Sequence, residues 1–254
     1  MGALNRHLIL TMNNLMRYVA GALLGCCLLA TAPLYAEPTI PAFTAHYELL
    51  RNGKMKVGEV KRTTTIAENG VVTFESHSKT TGLAALFIKD KISESTAFVL
   101  DDDTIQPQHY HYDRNGGKRS LVINLDFDWP NKSMADTVDD EPIQIPISAG
   151  TQDKLSYQLQ LMLDLQAGLT TFDYPVADKD AVKTYRFTLL GEETIKTPIG
   201  NIATIKLKRE RAANSKRNIT IWFAKSLRYL PVRITQGKSD DEFIMLEIKK
   251  VEGL

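Results

Sequence analysis

The sequence predicts a mainly β protein, built as a strongly curved antiparallel sheet or open half-barrel with one long helix across its concave face. Three observations predict this fold. Apolar and polar residues alternate over many short runs, turn residues separate those runs, and one longer apolar segment has helical periodicity. With 254 residues, 43% of them hydrophobic, the chain is long enough to bury a large core.

The alternation is clearest between Tyr185 and Gln236. Four runs there are broken by turn residues, and each run indicates a strand with one dry face. The apolar positions of these runs are Tyr185, Phe187, Leu189, Ala203, Ile205, Leu207, Ile219, Ile221, Phe223, Leu230, Val232 and Ile234. Similar runs lie between residues 43 and 128, where Asn52-Gly53 and Glu68-Asn69-Gly70 predict hairpin turns.

One segment, Thr151 to Ala167, predicts an α-helix that ends at Gly168. Thr151 or Asp153 is suited to capping its first turn. The apolar residues cover too wide an arc for a surface helix, so we expect the helix to lie across the sheet. Its stripe of Leu155, Leu159 and Met162 is a candidate lining for a ligand cavity.

The two ends of the chain resemble each other in spacing. Phe98 stands nine residues before Pro107, and Trp222 stands nine residues before Pro231. This predicts two similar antiparallel sheets, at about 43–128 and 184–251, separated by a linker and the helix at 129–183. Together they would form a single β-rich domain, residues 37–254.

Residues 1–36 have the features of a secretory signal peptide. Arg17 precedes an apolar run that ends in small residues, and cleavage is expected after Ala36. Met12 is an alternative start, since such a signal needs fewer residues than the full segment. The sequence therefore predicts a periplasmic protein, with lipoprotein anchoring at Cys26 as the alternative. A membrane-spanning anchor is disfavoured because the apolar run is short.

Composition excludes several classes of partner and chemistry. Both cysteines, Cys26 and Cys27, lie in the signal segment, so the mature chain has no disulfide and no thiolate metal site. A net charge of +1 argues against binding nucleic acid. No motif for a cofactor, a nucleophilic serine elbow or a phosphate loop occurs, and we expect no cofactor.

A few polar residues have spacings that could support chemistry. His109 and His111 lie on one face of a predicted strand, which could hold zinc if a third ligand were near. Asp126 and Asp128 could act as paired carboxylates on a glycan. Both pairs are also what the polar outer face of a sheet contains, and that interpretation is favoured.

The segment Leu83 to Ile88 is apolar without alternating. Leu83, Leu86 and Phe87 would suit a flap over an apolar cavity, and a short turn packed on the core is the alternative.

Several motifs in combination resemble an exported bacterial family, the domain-of-unknown-function family 3108. They are Phe127-Asp128-Trp129, Asp153-Lys154-Leu155-Ser156, Gly191-Glu192-Glu193, Thr197-Pro198-Ile199-Gly200, Ile221-Trp222-Phe223-Ala224 and Tyr229 to Ile234. The resemblance implies a secreted or periplasmic protein and supplies no catalytic residues. The strand–turn–proline–strand unit also resembles the periplasmic lipoprotein carriers of the Lol system, which implies a half-barrel with a helical lid over an apolar cavity.

Three functions follow as hypotheses. The first is non-enzymatic binding or carriage of a lipid or another apolar envelope ligand, with at most peripheral membrane contact. The second is an envelope assembly or scaffold protein that binds protein partners through its sheet edges. The third is a glycan-directed hydrolase or metal enzyme.

Overall fold

The computed structural model describes residues 39–82, 85, 90–117, 120–138, 141–210, 217–239 and 241–254. These residues form fourteen strands and one α-helix. The strands are β1 (Phe43–Arg51), β2 (Met55–Ile66), β3 (Val72–Thr80), β4 (Lys91–Asp101), β5 (Thr104–Asn115), β6 (Leu121–Asp128), β7 (Ser133–Val138), β8 (Glu141–Pro146), β9 (Phe172–Asp178), β10 (Ala181–Thr197), β11 (Gly200–Arg209), β12 (Asn218–Ala224), β13 (Leu230–Ser239) and β14 (Glu242–Glu252); the helix α1 is Ser156–Gln166.

The strands form one antiparallel sheet that is not closed into a barrel. Strands that are consecutive in sequence pair with each other, except β8 and β9, which form the two edges of the sheet. In addition, β1 pairs with β14. The expected curved sheet is confirmed, and the two similar halves are parts of this one sheet and do not form a sheet each. The register between β1 and β14, in which Tyr47 lies opposite Ile248, joins the two halves into a continuous sheet.

The sheet curves around α1, and Gln152 shows how far. Its side chain donates to the carbonyl of Ile105 on β5, while its backbone pairs with Pro175 and Ala177 on β9. Ten strand positions separate β5 from β9 in the sheet order, which in a flat sheet would be about 48 Å. Because one residue contacts both strands, the sheet must wrap almost around the helix.

The helix lies inside this curve, as the sequence predicted, but it is shorter. It begins at Ser156 instead of Thr151, because the backbone of Gln152 is used to pair with β9. Asp153 does serve as the cap: its Oδ1 accepts hydrogen bonds from the N–H groups of Leu155 and Ser156, both at 2.7 Å. The Ser156 hydroxyl accepts the N–H of Asp153 in return.

The equal spacings from Phe98 to Pro107 and from Trp222 to Pro231 correspond to a break in strand register that occurs in both halves. The β4–β5 register shifts between Ala97 and Phe98, and the β12–β13 register shifts between Trp222 and Phe223. In each case a bulge precedes the turn that leads to the proline. Sequence alternation did not identify β7 and β9, which lie in the region predicted as linker and helix.

Within the described part of the chain, no helix is long and apolar enough to cross a membrane.

Candidate functional site: an opening on the inner face

The face of the sheet that packs on α1, here called the inner face, is covered by the helix along only part of its length. The C-terminal end of α1 contacts Thr39 and Arg228 through Gln166. Its N-terminal end stops near Thr96, in the middle of β4. A helix of 11 residues spans about 16 Å, whereas the 9 to 12 residues of β1 to β4 span about 30–40 Å.

Side chains on this face are buried next to α1 and become partly exposed beyond the end of the helix. Phe74, Thr96, Tyr110 and Leu125 form one cross-strand row on β3 to β6, and each is at most 2% exposed. Four residues further along the same strands, about 13 Å away, another row points in the same direction. On β3 to β5 that row consists of Ser78, Ile92 and Arg114, and all three are partly exposed.

Between those two rows lie Glu94 and Tyr112, which are also partly exposed. We call the five positions Ser78, Ile92, Glu94, Tyr112 and Arg114 the inner opening. Two of them offer apolar surface and three offer polar groups, so the inner opening has the mixed character that an amphipathic molecule requires.

Asp153 lies at the deep end of the inner opening and is fully buried. Besides the two backbone N–H groups, its Oδ2 accepts the hydroxyl of Thr96 at 2.6 Å. Burial disfavours the ionised carboxylate and raises the pKa of Asp153 to about 6, although these three hydrogen bonds lower it in part. Asp153 therefore fixes the start of α1 and places a titratable group below the inner opening.

Glu94 is the neighbouring carboxyl group. It accepts the phenolic hydroxyl of Tyr110 at 2.6 Å. Desolvation raises the pKa of Glu94, and it raises the pKa of the buried Tyr110 as well. The pair is held in a fixed position by the core on one side and faces the inner opening on the other.

Arg62 is a buried cation on the same inner face. Its Nη1 donates to the side-chain oxygen of Gln158 on α1 at 2.9 Å, and its guanidinium lies over the rings of Tyr47 and Phe74. Its Nε has no hydrogen-bond partner among the described residues. Arg62 thus links the sheet to the helix through a neutral partner and aromatic faces.

The predicted ligand contacts on α1 are buried core residues. Leu155, Leu159 and Met162 are 0%, 1% and 0% exposed and pack in the main core cluster. They offer no surface to a ligand in this arrangement, so their role as contacts stays a prediction. Leu83, Leu86 and Phe87 lie outside the described residues, so their role as ligand contacts stays a prediction.

The two histidines of the zinc hypothesis lie on the opposite, outer face. His109 Nδ1 lies 2.7 Å from Asp126 Oδ1, and His111 Nδ1 lies 2.7 Å from Asn124 Oδ1, each across the β5–β6 pair. No group of three potential metal ligands occurs among the described residues. Asp128 accepts hydrogen bonds from Asn131 in the following turn. These side chains satisfy one another on the sheet surface.

Arg62 and Glu94, which sequence reasoning missed, could have been found from their positions. Each occupies an inner position in an alternating strand, and a charged residue at such a position breaks the apolar pattern.

Comparison with known proteins agrees with this architecture. Residues 42–247 match the model of the family described as "Protein of unknown function (DUF3108)", so the chain belongs to that family. No curated protein matches the sequence.

Among solved structures, the fold is similar to a β-barrel-like protein of the domain of unknown function DUF1849 from Brucella abortus. The TM-score is 0.54 at 9% identity, covering 85% of this chain and 98% of that one. A putative lipoprotein from Parabacteroides distasonis also aligns, with a TM-score of 0.35 and 11% identity, over 85% of this chain and 97% of that one. The first similarity concerns the fold alone.

Proposed function

We propose that the protein is an exported, non-enzymatic binding protein that holds an amphipathic ligand, such as a lipid, at the inner opening. The observation that carries this proposal is the loss of burial along β3 to β5. Ile92 and Tyr112 are partly exposed on a face whose other half is completely buried. A face that is built for the interior, but that α1 leaves uncovered at one end, has apolar surface available for a guest molecule.

The polar side chains of the inner opening support an amphipathic guest in particular. Ser78, Glu94 and Arg114 surround the apolar pair. Glu94 accepts from Tyr110 and Arg114 pairs with Asp90, so a ligand with one polar end could add contacts to these groups while its chain covers Ile92 and Tyr112. Export of the chain is proposed from the basic, apolar and small-residue order of residues 1–36, and the periplasm is the expected compartment.

A blocking substitution tests the proposal. Ser78→Trp places an indole among the residues of the inner opening, whereas Ser95→Trp places the same group on the outer face of the adjacent strand. The mature chain, residues 37–254, is purified without detergent, and native mass spectrometry measures any bound small molecule. We expect bound ligand in the wild type and in Ser95→Trp, and much less in Ser78→Trp. An empty wild type, or equal occupancy in both variants, would contradict the proposal.

The scaffold function is the second candidate, because the space beneath α1 is filled by core side chains. Leu155, Leu159 and Met162 leave no exposed surface there, as expected for a solid support. Binding of partners by strand addition would have to use β8 or β9. The backbone of Gln152 already pairs with part of β9, and β8 contains Pro142 and Pro146, which cannot donate to an added strand. We therefore place this function second.

A further inference from the structure

The outer face of the sheet contains a groove of about 920 Å³ whose basic side chains the proposed function does not use. It crosses β14, β1, β2, β3 and β4. Its lining residues include five lysines, two histidines and one glutamate, so the side chains along it are strongly basic. The charged and titratable lining residues are Lys61, Lys79, Lys91, Lys249, Lys250, His46, His77 and Glu59.

The strand register places these basic side chains opposite one another. Along one row, neighbouring strands contribute Lys250, His46, Lys61 and His77, each directly opposite the next. Along the next row of the same face, Lys79 lies directly opposite Lys91 on one side and Glu59 on the other. Like charges at directly opposed positions destabilise a sheet. The opposed pair of Lys79 and Lys91 is therefore a cost to folding that a bound counter-charge would reduce.

The acidic groups beside the groove are already occupied. Glu59 pairs with Lys56 at 2.7 Å, and Glu48 pairs with Lys56 and Lys249, both at 3.1 Å. Within the part of the chain that the structure describes, no carboxylate forms an ion pair with Lys61, Lys79 or Lys91. These three ammonium groups are exposed and available to a partner.

The dimensions of the groove favour a linear partner. Four strand spacings separate Lys250 from Lys91, which is about 19 Å, and the two rows stand about 7 Å apart along the strands. Tyr47 and Val60, whose side chains are buried on the inner face, lie between the rows, so the sheet backbone forms the floor there. The result is a long, narrow channel with cations on both sides.

We propose that this groove binds an extended polyanionic chain, meaning a linear polymer with repeated carboxylate, sulfate or phosphate groups. Cations on both walls can contact successive anionic groups of one chain. Binding would be electrostatic and would weaken steeply as salt is added. The lysine side chains of the groove project from the face opposite the inner opening, whereas Ser78 and Ile92, which belong to the inner opening, line the floor between the two rows. The inference depends on the lysines and not on the proposed function.

The test uses a fluorescent heparin oligosaccharide as the probe and fluorescence anisotropy as the measurement, at low and at high salt. In the mature chain, Lys79→Gln/Lys91→Gln removes the opposed pair. The control, Lys196→Gln/Lys208→Gln, removes two exposed lysines from β10 and β11, so it has the same net charge as the first variant. We expect the first variant to bind about 2- to 25-fold more weakly, from about 1.4- to 5-fold for each exposed charge, and the control to change little.

A second measurement separates binding from folding. If the opposed lysines serve a ligand, then Lys79→Gln/Lys91→Gln should unfold at the same or a higher temperature than the wild type while it binds the probe less well. Equal loss of affinity in both variants, or no salt dependence, would overturn the proposal. So would binding to vesicles of phosphatidylglycerol without binding to the oligosaccharide, because that result would assign the charges to a membrane surface.

Discussion

Asp153 gives the sharpest prediction about stability, because a single atom change isolates its charge. In Asp153→Asn the side-chain oxygen can still accept the N–H groups of Leu155 and Ser156, and asparagine caps helices about as well as aspartate. The Thr96 hydroxyl, which now donates to Oδ2, can rotate and accept from the new amide. The substitution therefore removes the titration and keeps the capping geometry.

The direction of the pH effect follows from the raised pKa. The pKa of Asp153 moves from 3.8 to about 6 on folding, so the folded state holds this proton more tightly than the unfolded state. Its contribution to stability is complete below 3.8, falls as the pH rises through about 6, and is then lost. The difference corresponds to about 3 kcal/mol of unfolding free energy that the ionised carboxylate costs at neutral pH.

Urea unfolding of wild type and Asp153→Asn at about pH 4 and about pH 8 measures this cost. We expect the variant to gain up to about 3 kcal/mol relative to the wild type between the acidic and the alkaline measurement. Carboxyl groups that do not interact with Asp153 titrate in both proteins and cancel in the comparison, whereas Glu94, whose charge helps to raise the pKa of Asp153, contributes to the measured difference. Glu68→Gln, at an exposed position, serves as the control. A constant difference between wild type and Asp153→Asn at both pH values would refute the reasoning.

Three further predictions concern the core, one turn and the histidines. Leu161→Ala should cost about 2–5 kcal/mol in urea unfolding because Leu161 is fully buried, whereas Leu169→Ala, at a position 50% exposed, should cost little. Gly237→Ala should destabilise by about 1–3 kcal/mol, because the added Cβ would lie 2.2 Å from a backbone carbonyl of β14; an unchanged melting temperature would show that the strand pair adapts. Wild type and His109→Ala/His111→Ala should contain equally little zinc by elemental analysis, and metal that disappears only in the variant would restore the metal-site hypothesis.

Much of this fold could be predicted from alternation and turns, since both are local signals. Asn52 and Gly53 adopt positive φ values of 50° and 67°, as the predicted tight hairpin requires. The helix was predicted from its apolar arc, but the prediction placed its start too early. The true start depends on the pairing of Gln152 with β9, which is a contact between distant parts of the chain. The strand β9 was missed for the same reason: it is recognised by its partners β10 and Gln152.

The site was harder to predict than the fold. Leu155, Leu159 and Met162 were chosen because they are apolar, but apolarity does not distinguish a core residue from a ligand contact. The inner opening depends on where a helix of 11 residues ends relative to longer strands. This position is set by the packing of the helix on the sheet and cannot be read from either segment alone. The outer groove depends on register, since Lys79 and Lys91 become neighbours only when β3 pairs with β4.

The most direct measurement of ligand binding uses the absence of cysteine from residues 37–254. Single variants Ile92→Cys and Ser95→Cys place one thiol on the inner opening and one on the outer face of β4. Alkylation rates are measured with and without a single-chain lysophospholipid. We predict that the lipid slows alkylation at position 92 and leaves position 95 unaffected. Equal rates with and without lipid at position 92, or equal protection at both positions, would contradict binding at the inner opening.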